Sequence, residues 1–142
     1  MGYGKMGKEI ESIAVERGHE IALKINSSNA ENIQAEDLKR CDCIIEFSRP
    51  DSVLKNIQQC FTAGVPVIVG TTGWYSEIEK IKTLCKEKNG TLLYASNFSI
   101  GVNILFEMNR YLAALMNTRK EYQVEINETH HIHKLDKPSG TG

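Results

Sequence analysis

What most constrains this chain is the alternation of helical and extended segments along nearly its whole length. Apolar residues at helical spacing take turns with short apolar runs bounded by turn formers, the mark of an α/β protein on a mostly parallel sheet. Lys5 to Arg17 reads as a helix, with Met6, Ile10, Ile13 and Ala14 on one face and Gly18 as its stop. Glu20 to Ile25 follows as a short strand, then the polar loop Asn26-Ser27-Ser28-Asn29. Cys41 to Phe47 is a second strand, and Asp51 is placed to cap a helix in which Val53, Leu54, Ile57 and Phe61 recur until Gly64. The runs Val65 to Val69 and Thr91 to Ala95 read as buried strands. Between them a helix from Tyr75 to Lys88 carries Ile78, Ile81, Leu84 and Cys85 on its apolar side. A long helix from about Val102 to Met116, a charged link and a half-exposed strand from Gln123 to Glu128 complete the pattern.

The first residues carry a motif that fits this architecture. Gly2-Tyr3-Gly4-Lys5-Met6-Gly7 matches G-x-G-x-x-G and opens a helix. Glycines let a backbone approach a pyrophosphate, whose charge meets free N–H groups and the positive end of the helix dipole. A glycine-rich tight turn alone would show the same letters. The context favours a Rossmann-type doubly wound parallel sheet over residues 1–100, but the strand expected before the glycines is missing from the sequence, which starts at Met1. That strand is central in such a sheet, so its loss should leave a gap and two unpaired edges. The N-terminus therefore reads as a truncation.

An acidic residue is expected roughly 20 positions after the glycines. The chain offers Lys24, Asn26, Ser27 and Ser28 instead, so NADPH should be tolerated alongside NADH. Two further loops follow buried strands, where open α/β sheets bind ligands: Gly70-Thr71-Thr72 and Ala95-Ser96-Asn97-Phe98. Their small residues and hydroxyls suit a nicotinamide ribose and carboxamide; ordinary turns capped by Thr and Ser would look alike.

Charge and composition exclude several partners. Lysine and arginine number 17 against 18 acidic residues, well mixed, so no basic stripe exists to track a nucleic acid. No apolar run approaches the roughly 20 residues that span a bilayer, and no hydrophobic signal core follows Met1. A cytoplasmic setting is expected. Cys41, Cys43, Cys60 and Cys85 lack the paired Cys-x-x-Cys spacing of a zinc site and read as reduced thiols beside a core.

The densest chemistry lies in the tail, from Glu128 through His130, His131, His133, Lys134, Asp136 and Lys137 to Pro138-Ser139-Gly140-Thr141. Zinc ligation by the three histidines is disfavoured, because Lys134 would set a cation beside the ion and successive side chains diverge. A solvated polar loop is the plain alternative. An anion site is the sharper one, with imidazoles and an ammonium for proton transfer and Ser-Gly-Thr offering N–H groups at a helix start.

His-His-x-x-Lys-x-Asp-x-Pro-Ser-Gly-Thr resembles the substrate-loop signature of the dihydrodipicolinate reductase family, also called 4-hydroxy-tetrahydrodipicolinate reductase. GYGKMG, EFSRP (Glu46 to Pro50), VGTTG (Val69 to Gly73) and ASNFSIGVN (Ala95 to Asn103) occur in the family's order. The resemblance implies reduction of a cyclic, dicarboxylate imine-type substrate of lysine and diaminopimelate biosynthesis by NADH or NADPH. It implies His130 and Lys134 as proton-transfer groups, and His131, Lys134, Ser139, Gly140 and Thr141 as carboxylate holders. It implies a cofactor lining of Gly2 to Gly7, Phe47, Ser48, Gly70 to Thr72 and Ala95 to Phe98, with no metal. It also implies a homotetrameric parent, since residues 101–142 would be a connecting helix and only the beginning of an α+β substrate domain. Lys137 stands where the family usually has Ala. Little or no turnover is expected of these 142 residues, because the helix that Ser139-Gly140-Thr141 would open is not encoded. Two rivals stay open: a non-catalytic NAD(P)-binding module, and another two-domain Rossmann dehydrogenase, against which the tail motif discriminates.

Overall fold

The computed structural model describes residues 1–130 and 132. Three strands, β1 (Ile44–Glu46), β2 (Val67–Val69) and β3 (Leu92–Tyr94), form one parallel sheet in the order β1-β2-β3. Ile44 lies opposite Val67, and Val67 opposite Leu92. Parallel neighbours need a crossover, which α3 (Val53–Ala63) supplies from β1 to β2 and α4 (Ile78–Glu87) from β2 to β3. Before the sheet come α1 (Lys5–Glu16) and the short α2 (Ala35–Leu38); after it comes α5 (Ile100–Met116). The chain divides into two compact units, Met1–Ala95 and a second from Ser96 onward.

The core of the first unit gathers one face of α3 against the sheet and the turns around it. Val53, Ile57, Cys60 and Phe61 of α3 are buried with Ile44, Val67, Val69, Leu38, Trp74 and Ile81. Gly64 ends α3 in the left-handed region at φ 71, its N–H donating to Phe61 O at 3.1 Å. The sheet's other side is less covered: Ile45 and Leu93, one residue out of phase with the buried set, are 38% and 56% exposed.

Beyond β1 the chain's first residues lie along the sheet's edge, outside the three-stranded ladder. The Met1 ammonium donates to Ile45 O at 2.7 Å and Phe47 N–H to Met1 O at 3.0 Å, while Tyr3 N–H donates to Ile25 O at 2.9 Å. The spatial order is therefore Glu20–Ile25, Met1–Tyr3, β1, β2, β3. Behind Met1 opens a groove of about 600 Å³, walled by 20–25 and 41–45 and faced by Ile10 and Ala14 of α1.

Several expectations are corrected. Glu20–Ile25 forms no strand, since its flank toward β1 faces the groove for most of its length. Gln123–Glu128 forms none either: Val124 and Ile126 are 79% and 75% exposed, and the described residues offer neither a pairing strand nor a surface to bury them. The run Thr91–Ala95 is not buried on both faces, because Leu93 emerges 56% exposed on the less covered side, while Tyr94, on the opposite face against Trp74 and Tyr75, is still 37% exposed. Asp51 does not cap α3; Ser52 is the N-cap residue, and Asp51 instead accepts from Ser52 Oγ at 2.8 Å and pairs with Arg49 at 3.3 Å. The α2 turn, with fully buried Leu38 and Asp37 accepting the Gln34 N–H at 2.9 Å, had no periodic signal in so few residues.

Candidate functional site

The order of segments reverses between Met1 and β1, which run outward in opposite directions from that point. Open α/β sheets bind ligands in the crevice at such a switch point. The glycine loop closes this crevice on one side. Gly2 has φ +78, and a Cβ there would lie 2.1 Å from Phe47 O and 2.6 Å from Ser48 N, so only glycine seats the loop against the end of β1. A Cβ on Gly7 would lie 2.7 Å from Gly2 O. Gly4 differs, for a Cβ there would meet nothing within 4 Å. That open space lies at the N-cap of α1, which no side chain caps, with Lys5 and Met6 exposed beside it. The first helical N–H groups have no partner within a helix, and Lys8 is the first to bond back, to Gly4 O at 3.1 Å. Exposed donors, a positive helix end and an unobstructed approach fit a phosphate group.

Tyr3 points elsewhere. Its hydroxyl donates to Glu11, which also pairs with Lys24 at 2.5 Å, and the Lys24 ammonium sits 5.3 Å from the Tyr3 ring centre. The hydrogen bond from Lys24 holds the Glu11 carboxyl below its ordinary value, and the bond to Glu11 raises both the Lys24 ammonium and the Tyr3 phenol.

The loops after β1 and β2 meet beside Gly2. The Phe47 ring lies over Gly70, where an added Cβ would come within 2.2 Å of it. Ser48 N–H donates to Thr71 Oγ1 at 2.8 Å. Both hydroxyls are consumed internally, for Ser48 and Thr71 each donate to the Glu46 carboxylate. The Thr71 carbonyl accepts from Trp74 Nε1 at 2.7 Å. What this turn presents outward is therefore Gly70 and Thr72, half-buried, rather than the Thr71 side chain.

Ala95 N–H donates to Val69 O at 3.2 Å and ends the first unit. In the second unit Asn97 Oδ1 accepts from Ser99 N–H at 2.8 Å and Asn97 O from Asn103 Nδ2 at 3.1 Å, while Ser99 Oγ caps α5 through Val102 N–H at 3.4 Å. Ser96 is half-buried and Phe98 is 45% exposed. His130 is exposed, its Nε2 lying 3.4 Å from Glu128 Oε1. His131, Lys134, Ser139, Gly140 and Thr141 lie outside the described residues.

Thus Gly2, Phe47, Ser48, Gly70 and Thr71 come together within the first unit. Sequence reasoning gave no role to Glu46, Asn56 and Trp74, which hold them there. A signal existed for Glu46: in Ile44-Ile45-Glu46 it shares the face of Ile44, so a carboxylate sits at a core position.

Two family models match this chain: "Dihydrodipicolinate reductase, N-terminus" over residues 1–98 and "Dihydrodipicolinate reductase, C-terminus" over residues 101–142. The first match accords with the sheet described above, a nucleotide-binding Rossmann-type α/β fold. A 4-hydroxy-tetrahydrodipicolinate reductase of Christiangramia forsetii is 45% identical over 141 residues, covering 99% of this chain and 58% of that protein. Proteins of the same name from Neisseria gonorrhoeae and Neisseria meningitidis serogroup B are 36% identical over 131 residues, 92% of this chain and 47% of theirs. The chain thus spans about half the length of the curated relatives it matches. With both family models matched in order and a relative aligned over nearly all of its residues, the chain belongs to the dihydrodipicolinate reductase family.

Proposed function

We propose that this chain carries the nucleotide-binding part and the catalytic loop of an NAD(P)H-dependent 4-hydroxy-tetrahydrodipicolinate reductase. The observation that carries the reading is Gly4: an exposed glycine that neither φ nor packing demands, at the uncapped start of α1, beside a switch point. The space it leaves is what a dinucleotide phosphate needs. The absence of a carboxylate after Leu23, where Lys24, Asn26, Ser27 and Ser28 stand, supports use of NADPH as well as NADH.

The dinucleotide, when bound, supplies a hydride. The chain's own residues hold its phosphates through the Gly2–Gly7 backbone and its nicotinamide end through Phe47, Ser48, Gly70–Thr72 and Ala95–Phe98. His130 and Lys134 provide the proton that must accompany hydride addition to an imine-type bond. His131, Lys134 and the Ser139-Gly140-Thr141 N–H groups hold the substrate's two carboxylates. The family resemblance and the chemistry of these residue types support these roles.

Titration with NADH and NADPH, followed by nicotinamide fluorescence, tests the first half. Both should bind with affinities within about tenfold of each other, a difference of about 1.4 kcal/mol or less; a much larger preference for NADH removes the NADPH reading. Consumption of NADH with the hydroxy-tetrahydrodipicolinate substrate tests the second half. Any turnover should fall about a hundredfold or more in H130Q and K134A, and turnover that survives both substitutions overturns the proton-transfer assignment. Tight NADH binding with no turnover would instead favour the non-catalytic module.

A further inference from the structure

We infer that Glu46 is a positioning residue, whose carboxylate sets the spacing of the two loops that receive the nicotinamide end of the dinucleotide. This rests on the nucleotide reading above and adds to it a residue that touches no ligand.

Glu46 closes β1 and is fully buried. Its backbone carbonyl accepts Gly70 N–H at 2.9 Å, so the main chain already joins β1 to the turn after β2. The side chain then does something the sheet does not require. Oε1 accepts from Ser48 N–H at 3.2 Å, from Ser48 Oγ, and from Asn56 Nδ2 of α3 at 3.0 Å. Oε2 accepts from Thr71 Oγ1 at 2.6 Å. Four donors from two loops and one helix converge on one side chain. An ionised carboxylate is acceptor-only, and it alone among side chains of this length satisfies all four without reversing one.

The network is closed as well as convergent. Thr71 Oγ1 gives its proton to Glu46 and takes the Ser48 N–H at 2.8 Å, and Ser48 Oγ takes the second Asn56 contact at 3.1 Å. Each of its two hydroxyls donates once, to Glu46, and accepts once. Hydrophobic residues at these positions would serve packing equally well, since replacing a buried polar cluster by apolar groups of similar shape is often neutral for stability. What apolar groups cannot do is fix the separation of two irregular loops. Phe47 and Ser48 on one side and Gly70 and Thr72 on the other are therefore held at one spacing before any ligand arrives, which removes an ordering cost from binding.

A glutamine at 46 keeps the volume but points an N–H at either Thr71 or the Ser48–Asn56 pair, so one contact must invert. The test combines NADH titration by fluorescence with amide hydrogen exchange on the unaltered chain, E46Q, T71V and E46Q/T71V. In E46Q and in T71V the Ser48 amide should lose protection while β2 amides keep theirs. Each single variant should bind NADH about tenfold more weakly, the scale of one charge-assisted hydrogen bond. The double variant should bind no more weakly than the weaker single, because both cut the same link. If E46Q does not fold, T71V carries the comparison, since its change lies in the turn. Unchanged Ser48 protection and unchanged NADH affinity overturn the inference, as do single effects that simply add in the double. Failure of the unaltered chain to bind NADH overturns the nucleotide reading itself, and is distinguishable because it precedes any substitution.

Discussion

At the scale of single residues, the three glycines of Gly2–Gly7 do different work although the motif treats them alike. Gly2 is held by φ +78 and by the Phe47 carbonyl, and Gly7 by the Gly2 carbonyl, whereas nothing confines Gly4. Gly2→Ala should therefore cost about 3 kcal/mol or more, from backbone strain plus a clash that only a shift of β1's end relieves. Gly4→Val should leave the melting temperature within a degree or two yet abolish NADH binding. Calorimetry with fluorescence titration of the two variants checks this, and a Gly4→Val chain that binds NADH normally removes the phosphate site. Cys60 offers a prediction of another kind. Burial pushes its thiol from an ordinary 9.0 up to about 12, with Glu46 adding to the rise and the Met1 ammonium opposing it. The folded chain then keeps the thiol proton that the unfolded chain loses first. Stability from this source is complete below about pH 9 and declines as pH rises toward 12, by about 1.4 kcal/mol per unit. Urea unfolding of the chain and of C60V under reducing conditions should diverge over that range; parallel curves would refute it. Glycine spacing was legible from letters alone, because it is a motif; cysteine burial was not, for of four thiols expected beside a core Cys60 is buried, Cys41 and Cys85 are half-buried and Cys43 is exposed. The role of Glu46 was not, since its partners Asn56 and Thr71 lie 10 and 25 positions away and only folding brings them to it.

At the scale of elements, the apolar periodicity located α1, α3, α4 and α5 to within a few residues but did not reveal how deeply each is buried. α3 carries Val53, Ile57, Cys60 and Phe61 into the core, whereas α1 has no buried residue and leaves Met6 and Ile13 52% and 47% exposed. The two helices look alike as sequences because amphipathicity records a preference for cover and not the presence of it. Ile57→Ala should therefore cost about 3 kcal/mol, the range for a buried aliphatic truncation, and Ile13→Ala under about 1 kcal/mol. Chemical denaturation of both variants decides between this and an α1 as important as α3. The strands show the complementary failure. β1, β2 and β3 were legible because each lies inside a short apolar run bounded by turn formers, within Cys41–Phe47, Val65–Val69 and Thr91–Ala95. Glu20–Ile25 and Gln123–Glu128 have the right composition, yet a strand exists only through its ladder, and ladder partners are not encoded in the segment itself.

At the scale of the whole molecule, what stands out is apolar surface without cover. Ile45 and Leu93 open on one side of the sheet at 38% and 56% exposure, and the groove behind Met1 adds the flanks of 20–25 and 41–45. In the second unit Ile104, Leu105, Met108, Leu112 and Leu115 of α5 are each 50% exposed or more. Contiguous patches of this kind are rare on proteins that remain monomeric. Edges with unpaired main-chain groups add a template for further pairing. The glycine motif without a preceding strand anticipated the groove, but no sequence pattern disclosed the uncovered sheet and helix faces, because apolar spacing marks residues that seek burial and says nothing of whether a partner surface is present. The chain should therefore bind a hydrophobic dye in its folded state and associate as its concentration rises, with sedimentation velocity shifting to larger species over the micromolar range. L112E and M108K, on an exposed helix face, should reduce that association without lowering the unfolding midpoint, since neither side chain is buried. I45K should reduce it too if the sheet face contributes, so the two sets of variants separate the surfaces. A chain that stays monomeric and dark to the dye at the highest soluble concentration would mean that these faces are satisfied within the molecule.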